Sequence, residues 1–192
     1  MPPLACIDGT LNPADERTDL ELVAAANGGD AAAFEGLYAR HRDWVANLAY
    51  RFCGDRELAL DVLQEAFLYL LKKFPHFELR CELRSFLYPV VKHLALNARA
   101  KAGRFETGES REELFAGLEA PRVEAGADEG LRGALAKLPV QQRETVVLRF
   151  MDGMDLAEIA AALEVPLGTV KSRLHHALEA LRKNPALKEF FE

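Results

Sequence analysis

LPVQQRETVVLRFMDGMDLAEIAAALEVPLGTVKSRLHHALEALRK, residues 138–183, decides the fold. Its apolar periodicity predicts three short helices, the last two set as a helix-turn-helix. In the final helix Val170, Leu174, Leu178 and Leu181 recur at helical spacing and make one buried stripe. At about 100° per residue, Lys171, Ser172, His175, Glu179 and Arg182 then fall on the opposite face, with His176 beside them. A helix that carries cations and hydroxyls on its free face, propped on a second helix, suits the DNA major groove. An ordinary helical hairpin gives the same periodicity. The core of this part is expected from Leu131, Leu135, Leu138, Val146, Val147, Leu148, Phe150, Leu156, Ile159, Leu163, Val165 and the stripe. Asp155 with Glu158 three residues on is a capping box that opens the first helix of the pair.

Working outward, the pattern predicts an all-α chain of two small helical domains. Residues 1–17, rich in proline and small residues, read as a loose tail. A helix is expected from Thr18 or Asp19 to the Asn27-Gly28-Gly29 turn. Asp30 can cap a second, carrying Phe34, Leu37, Tyr38, Val45, Leu48 and Phe52 as far as Gly54. Asp55 can cap a third, with Leu58, Val62, Phe67, Leu70 and Leu71, ending at Phe74-Pro75. After a polar loop a fourth should run from about Ser85 to Ala102, with Pro89 in its first turn or so. These four helices form one domain, residues 18–103. Residues 104–128 read as an acidic linker, residues 129–183 as the helix-turn-helix domain, and residues 184–192 as a short tail.

Composition narrows the function classes. The 192 residues are 49% hydrophobic, enough for real cores, and no apolar run reaches the roughly 18 residues of a membrane span, so no membrane insertion is expected. The N-terminus lacks a signal-peptide pattern, and the expected location is the cytoplasm. Cys6, Cys53 and Cys81 are widely spaced without a CxxC pair and read as reduced thiols. The histidines show no ligand spacing, so no metal and no cofactor is expected. No Walker loop, nucleophile elbow or Gly-rich dinucleotide turn is present, and the chain is not expected to be an enzyme.

The net charge of −6 argues against nucleic acid until its distribution is read. Eight acids between Glu106 and Glu129 face only Arg111 and Arg122, which leaves the remainder neutral as a whole. Within that remainder Arg84, Lys92, Arg99, Lys101 and Arg104 lie in a stretch without an acid. Asp55, Glu57, Asp61 and Glu65 lie in another with Arg56 alone. Such segregation suggests one face for a basic partner and one for an acidic partner.

The two blocks FEGLYARHRDWVANLAYRFCGDRELALDVLQEAFLYLLKKF…SFLYPVVKHLALNARAK and LPVQQRETVVLRFMDGMDLAEIAAAL…GTVKSRLHHALEALRK resemble the extracytoplasmic-function sigma factors. These are small two-domain bacterial transcription initiation factors, and the resemblance covers nearly everything between residues 18 and 183. It implies that the chain binds core RNA polymerase, recognises the minus-ten and minus-thirty-five promoter elements and promotes strand opening. The resemblance assigns polymerase docking to Asp61, Gln64 and Glu65, which share one helix face by the i, i+3, i+4 rule. Capture of an unstacked minus-ten base goes to the loop Glu78, Leu79, Arg80, Cys81 and Glu82. Lys92, His93 and Asn97 line the opening strand, with Arg99 and Lys101 on phosphates. A base pocket and cations along the backbone offset an unstacking cost of a few kcal/mol. For the duplex minus-thirty-five element the base-edge candidates are Lys171, Ser172, His175 and His176, with Arg149 and Arg173 as phosphate contacts. The resemblance also leaves room for an anti-sigma protein as a partner.

This chain departs from the family pattern at several positions. Phe86 stands where many members have Trp, Pro89 where many have Arg, and Asn97 replaces a frequent Asp. Glu164 occupies the turn position usually given to Gly, at a cost on the order of 1 kcal/mol if the backbone there is left-handed. Two other readings compete: a stand-alone helix-turn-helix regulator, which gives the acidic face of residues 61–65 no role, and a helical protein-interaction adaptor.

Overall fold

The computed structural model describes residues 15–107, 129–185 and 187. The N-terminal tail, the linker and most of the C-terminal tail expected from sequence therefore lie largely outside the described residues. Among these residues the architecture is all helical: α1 Asp19–Asn27, α2 Ala31–Cys53, α3 Arg56–Leu71, α4 Leu83–Thr107, α5 Glu129–Ala136, α6 Val140–Phe150, α7 Leu156–Ala162 and α8 Leu167–Arg182. The chain divides into two compact units between Arg99 and Ala100.

In the first unit the helix ends sit where local chemistry places them. Thr18 and Glu21 close a reciprocal capping box at the start of α1, Thr18 N–H donating to the Glu21 carboxylate at 2.6 Å. Asp30 accepts from the amides of Ala32 and Ala33, and Asp55 from that of Leu58, so α2 and α3 each begin on a side-chain cap. Gly54 ends α2 with φ 74°, a left-handed conformation in which a side chain would be strained. The buried stripes of these helices meet in one core that includes Leu22, Leu37, Leu48, Phe52, Leu70, Leu83, Leu87 and Tyr88. Leu71, expected in that core, is 47% exposed because it closes α3.

The fourth helix begins two residues earlier than expected and extends beyond Ala102 to Thr107. Pro89 consequently sits inside the helix rather than in its first turn, where it cannot make the i→i−4 hydrogen bond.

The second unit holds the helix-turn-helix. Ala134, Leu135, Leu138, Val146, Ala177, Leu181 and Leu187 form one buried cluster against which Leu131 and Leu174 pack. Arg143 donates to the carbonyls of Ala136 (2.9 Å) and Leu138 (3.1 Å), tying the turn between α5 and α6. Asp155 and Glu158 form the expected capping box at α7. Phe150 corrects the sequence reading: it is 61% exposed. Its helix ends at that residue, and after the turn Met154 enters the core instead, 1% exposed, its amide bonded to the Leu148 carbonyl at 3.0 Å. The turn into α8 carries Glu164 at φ 53°, the left-handed residue a glycine would fill without strain.

Candidate polymerase and promoter surfaces

On α3 the side chains of Val62, Leu63, Ala66 and Phe67 are buried, which turns Asp61, Gln64 and Glu65 outward together. Leu68, 53% exposed, continues that face one turn further. The spacing was available in the sequence, but an exposed leucine among core leucines has no compositional mark.

The loop from Glu78 to Glu82 is held at both roots. Asn27, the last residue of α1, pairs with the Phe77 backbone in both directions: its amide nitrogen donates to the Phe77 carbonyl at 2.9 Å, and the Phe77 amide donates to its oxygen at 3.0 Å. Phe77 also lies between Phe74 (centroids 5.6 Å) and Phe86 (4.8 Å), and Phe86 stacks on Tyr69 at 6.3 Å. Leu83 is fully buried at the other root. Between these anchors Glu78 and Arg80 are exposed and paired with each other at 2.7 Å. Burial, and then the neighbouring Glu82 carboxylate, push the Cys81 thiol above its ordinary value, so it stays protonated at neutral pH.

That loop forms one wall of a groove of about 510 Å³, within the range of small-molecule sites. Thr18, Asp19, Leu20 and Arg40 form the other wall. Nothing in the sequence joins the two walls, which are some sixty positions apart; only the packing of α1 brings them together. Asp19 is fixed there. Its carboxylate accepts from Arg40 at 2.6 Å and lies 2.7 Å from His41 Nε2, while Arg40 also donates to the carbonyls of Asp15 and Arg17. Burial pushes Asp19 up, but its His41 and Arg40 partners outweigh that and hold the carboxyl below its ordinary value.

On α4 the candidate strand contacts are unequal. His93 and Lys101 are exposed, whereas Lys92, Asn97 and Arg99 are half-buried. Asn97 lies 2.8 Å from His93 Nε2, Arg99 donates to the Phe52 carbonyl at 3.2 Å, and Lys92 sits 5.9 Å from the centre of the Phe52 ring. Arg99 thus has a structural bond besides any phosphate it meets.

In the second unit α8 presents Lys171, Ser172, His175 and His176 on its exposed face. Val170, Ala177 and Leu181 are buried, and Leu174 and Leu178 are half-buried, so the inner stripe is shared between leucines and an alanine. Glu179 lies about one turn beyond the histidines, 4.0 Å from His175 and 3.9 Å from His176. Two of the expected phosphate contacts are engaged inside the domain: Arg173 donates to Gln141 at 2.9 Å, linking α8 to α6, and Arg149 donates to the Met154 carbonyl at 2.9 Å. Arg149 remains exposed and Arg173 half-exposed. The arrangement offers a cation-bearing helix face in one unit, and a walled groove and an acidic helix face in the other.

The known proteins agree with both halves. Residues 37–105 match the family model for Sigma-70 region 2, and residues 128–181 that for Sigma-70, region 4. The ECF RNA polymerase sigma factor SigM of Mycobacterium tuberculosis (strain H37Rv) is 33% identical over 168 residues, 88% of this chain and 85% of its own length. SigW of Bacillus subtilis is 28% identical over 168 residues, covering 81% of this chain and 90% of its own. The structure of CnrH in complex with the cytosolic domain of CnrY is similar with TM-score 0.60 and 26% identity, covering 84% of this chain and 93% of that one. RpoE of Bartonella quintana, solved with the anti-sigma factor NepR, shares the fold with TM-score 0.56 at 21% identity, over 81% of this chain and 96% of that one. The chain therefore belongs to the ECF RNA polymerase sigma factors, transcription initiation factors that join core RNA polymerase to promoter DNA through the two regions seen here as separate helical units.

Proposed function

We propose that the work of initiation is divided among the surfaces as follows. Residues 18–103 dock on polymerase through Asp61, Gln64 and Glu65, with Leu68 adding an apolar contact at the edge of that face. The loop Glu78–Glu82 receives an unstacked minus-ten base while Lys92, His93, Asn97, Arg99 and Lys101 follow the opened strand. Residues 129–183 read the minus-thirty-five duplex through Lys171, Ser172, His175 and His176, with Arg149 and Arg173 positioning the helix on phosphates, and residues 104–128 join the two domains. The chain supplies binding energy and orientation, and bond formation belongs to the polymerase. Its place of action is the cytoplasm.

The observation that carries this reading is the outward acidic face of α3, which a stand-alone repressor does not need. CnrH and Bartonella RpoE were each solved with a bound protein, in the second case an anti-sigma factor. An anti-sigma protein that occludes α3 or α8 is accordingly part of the proposal. The test is reconstitution with core RNA polymerase and run-off transcription from a promoter. Asp61→Lys with Glu65→Lys should abolish co-elution with core enzyme and transcription while leaving helical circular dichroism intact. Normal co-elution of the double variant overturns the docking assignment.

A further inference from the structure

The groove beside the loop has two walls, and only one of them belongs to the loop. We propose that the first turn of α1, through Leu20 and the clamped Arg40, is the second half of the pocket for the extruded minus-ten nucleobase and shares in setting which base is accepted. The proposal rests on the loop assignment above and extends it to residues that the family resemblance left without a role.

Three observations carry it. The groove is large enough for a nucleobase and its sugar, and it is lined on one side by Leu79, Arg80, Cys81 and Glu82 and on the other by Thr18, Asp19, Leu20 and Arg40. Leu20 is 62% exposed although it stands between two residues fixed by polar bonds, so its side chain covers no core and is an apolar surface at the groove. An unstacked base loses its apolar neighbours and regains them only where an apolar wall meets its flat face. The wall is also fixed before any base arrives. The Arg40 guanidinium is held by the Asp19 carboxylate and by two main-chain carbonyls, and Asp19 is held in turn by His41, which is 4% exposed. A wall fixed in advance loses little entropy on binding and discriminates by shape. The opposite wall is a short loop in which Arg80 and Glu78 pair with each other in the open, 85% and 74% exposed. The pocket thus joins a rigid half to an adjustable half.

Holoenzyme reconstituted with the full chain and core RNA polymerase provides the test. Transcription is read from a library randomised at the minus-ten element, and 2-aminopurine placed across that element reports extrusion by its fluorescence. Leu20→Ala should lower discrimination at the extruded position about tenfold and reduce the fluorescence change, with core binding and minus-thirty-five preference unaltered. Leu20→Met, which keeps the apolar surface, should retain the discrimination. A loop graft replacing residues 78–82 separates this proposal from the reading beneath it. If the graft changes the preferred base and Leu20→Ala does not, the loop assignment stands and the second wall is overturned. If neither changes it, the loop assignment fails and the pocket with it.

Discussion

The two surfaces proposed to meet the promoter are built on opposite plans. The helix α8 presents its candidate readers on a convex face, His175 and His176 being 70% and 61% exposed and free to adapt to base edges already held in a duplex. The proposed minus-ten side is concave, with one wall clamped by Arg40, Asp19 and His41. The difference follows from the substrates. A duplex supplies its own rigidity, so the protein needs only a helix of suitable width and charge. A single base outside the stack has lost its order, and the protein must provide the shape that the duplex no longer does.

The strongest way to break this contrast is to loosen the clamped wall. Asp19→Asn removes a carboxylate from a largely buried pair and should lower folding stability by about 3 kcal/mol in urea titrations. Because the Asp19 pKa is held below its ordinary value in the fold, its contribution is complete above the ordinary aspartate range and is lost as pH falls through the lowered value. Wild type should therefore lose stability on acidification more steeply than Asp19→Asn, and parallel pH curves would remove the clamp from the account.

A second experiment sharpens the convex side. Lys171→Ala and His175→Ala should each reduce minus-thirty-five base discrimination by about 1–2 kcal/mol without altering minus-ten preference. Arg149→Ala should weaken promoters of all sequences by roughly 1 kcal/mol and lower the salt slope of binding by about one unit. Equal losses from all three across every sequence would mean that α8 is positioned on the duplex but does not read it.

The smallest expected effect concerns the turn that aims α8. Glu164→Gly relieves a left-handed residue at φ 53° and should stabilise the second unit by up to about 1 kcal/mol, with both promoter preferences unchanged. Differential scanning calorimetry would detect the shift. A fall in stability would show that the Glu164 side chain makes a compensating contact.

Four of the helix starts were legible because they are written locally. Thr18, Asp30, Asp55 and Asp155 each accept a hydrogen bond from an amide two or three residues on, a relation that sequence spacing contains. Phe150 was misplaced because its fate depends on where α6 stops, and Met154 competes for the same core from beyond the turn. Pro89 lies deeper in α4 than expected because the helix begins at Leu83, whose side chain is buried in the core, rather than near Ser85. The outward face of residues 61–65 was visible in the i, i+3, i+4 spacing. The groove was not, since Leu20 and Leu79 belong to segments whose nearness exists only after α1 has packed.

The pairing of Asn27 with Phe77 gives α1 a metric role. One end of this nine-residue helix grips the loop's root, and its other end faces the loop's tip across the groove. At a rise of about 1.5 Å and a turn of about 100° per residue, one inserted residue would slide and rotate one end relative to the other. Either the amide grip or the Leu20 wall would then be out of register. The length of α1 is thus a ruler against which the loop's reach is set, and helix and loop must change together.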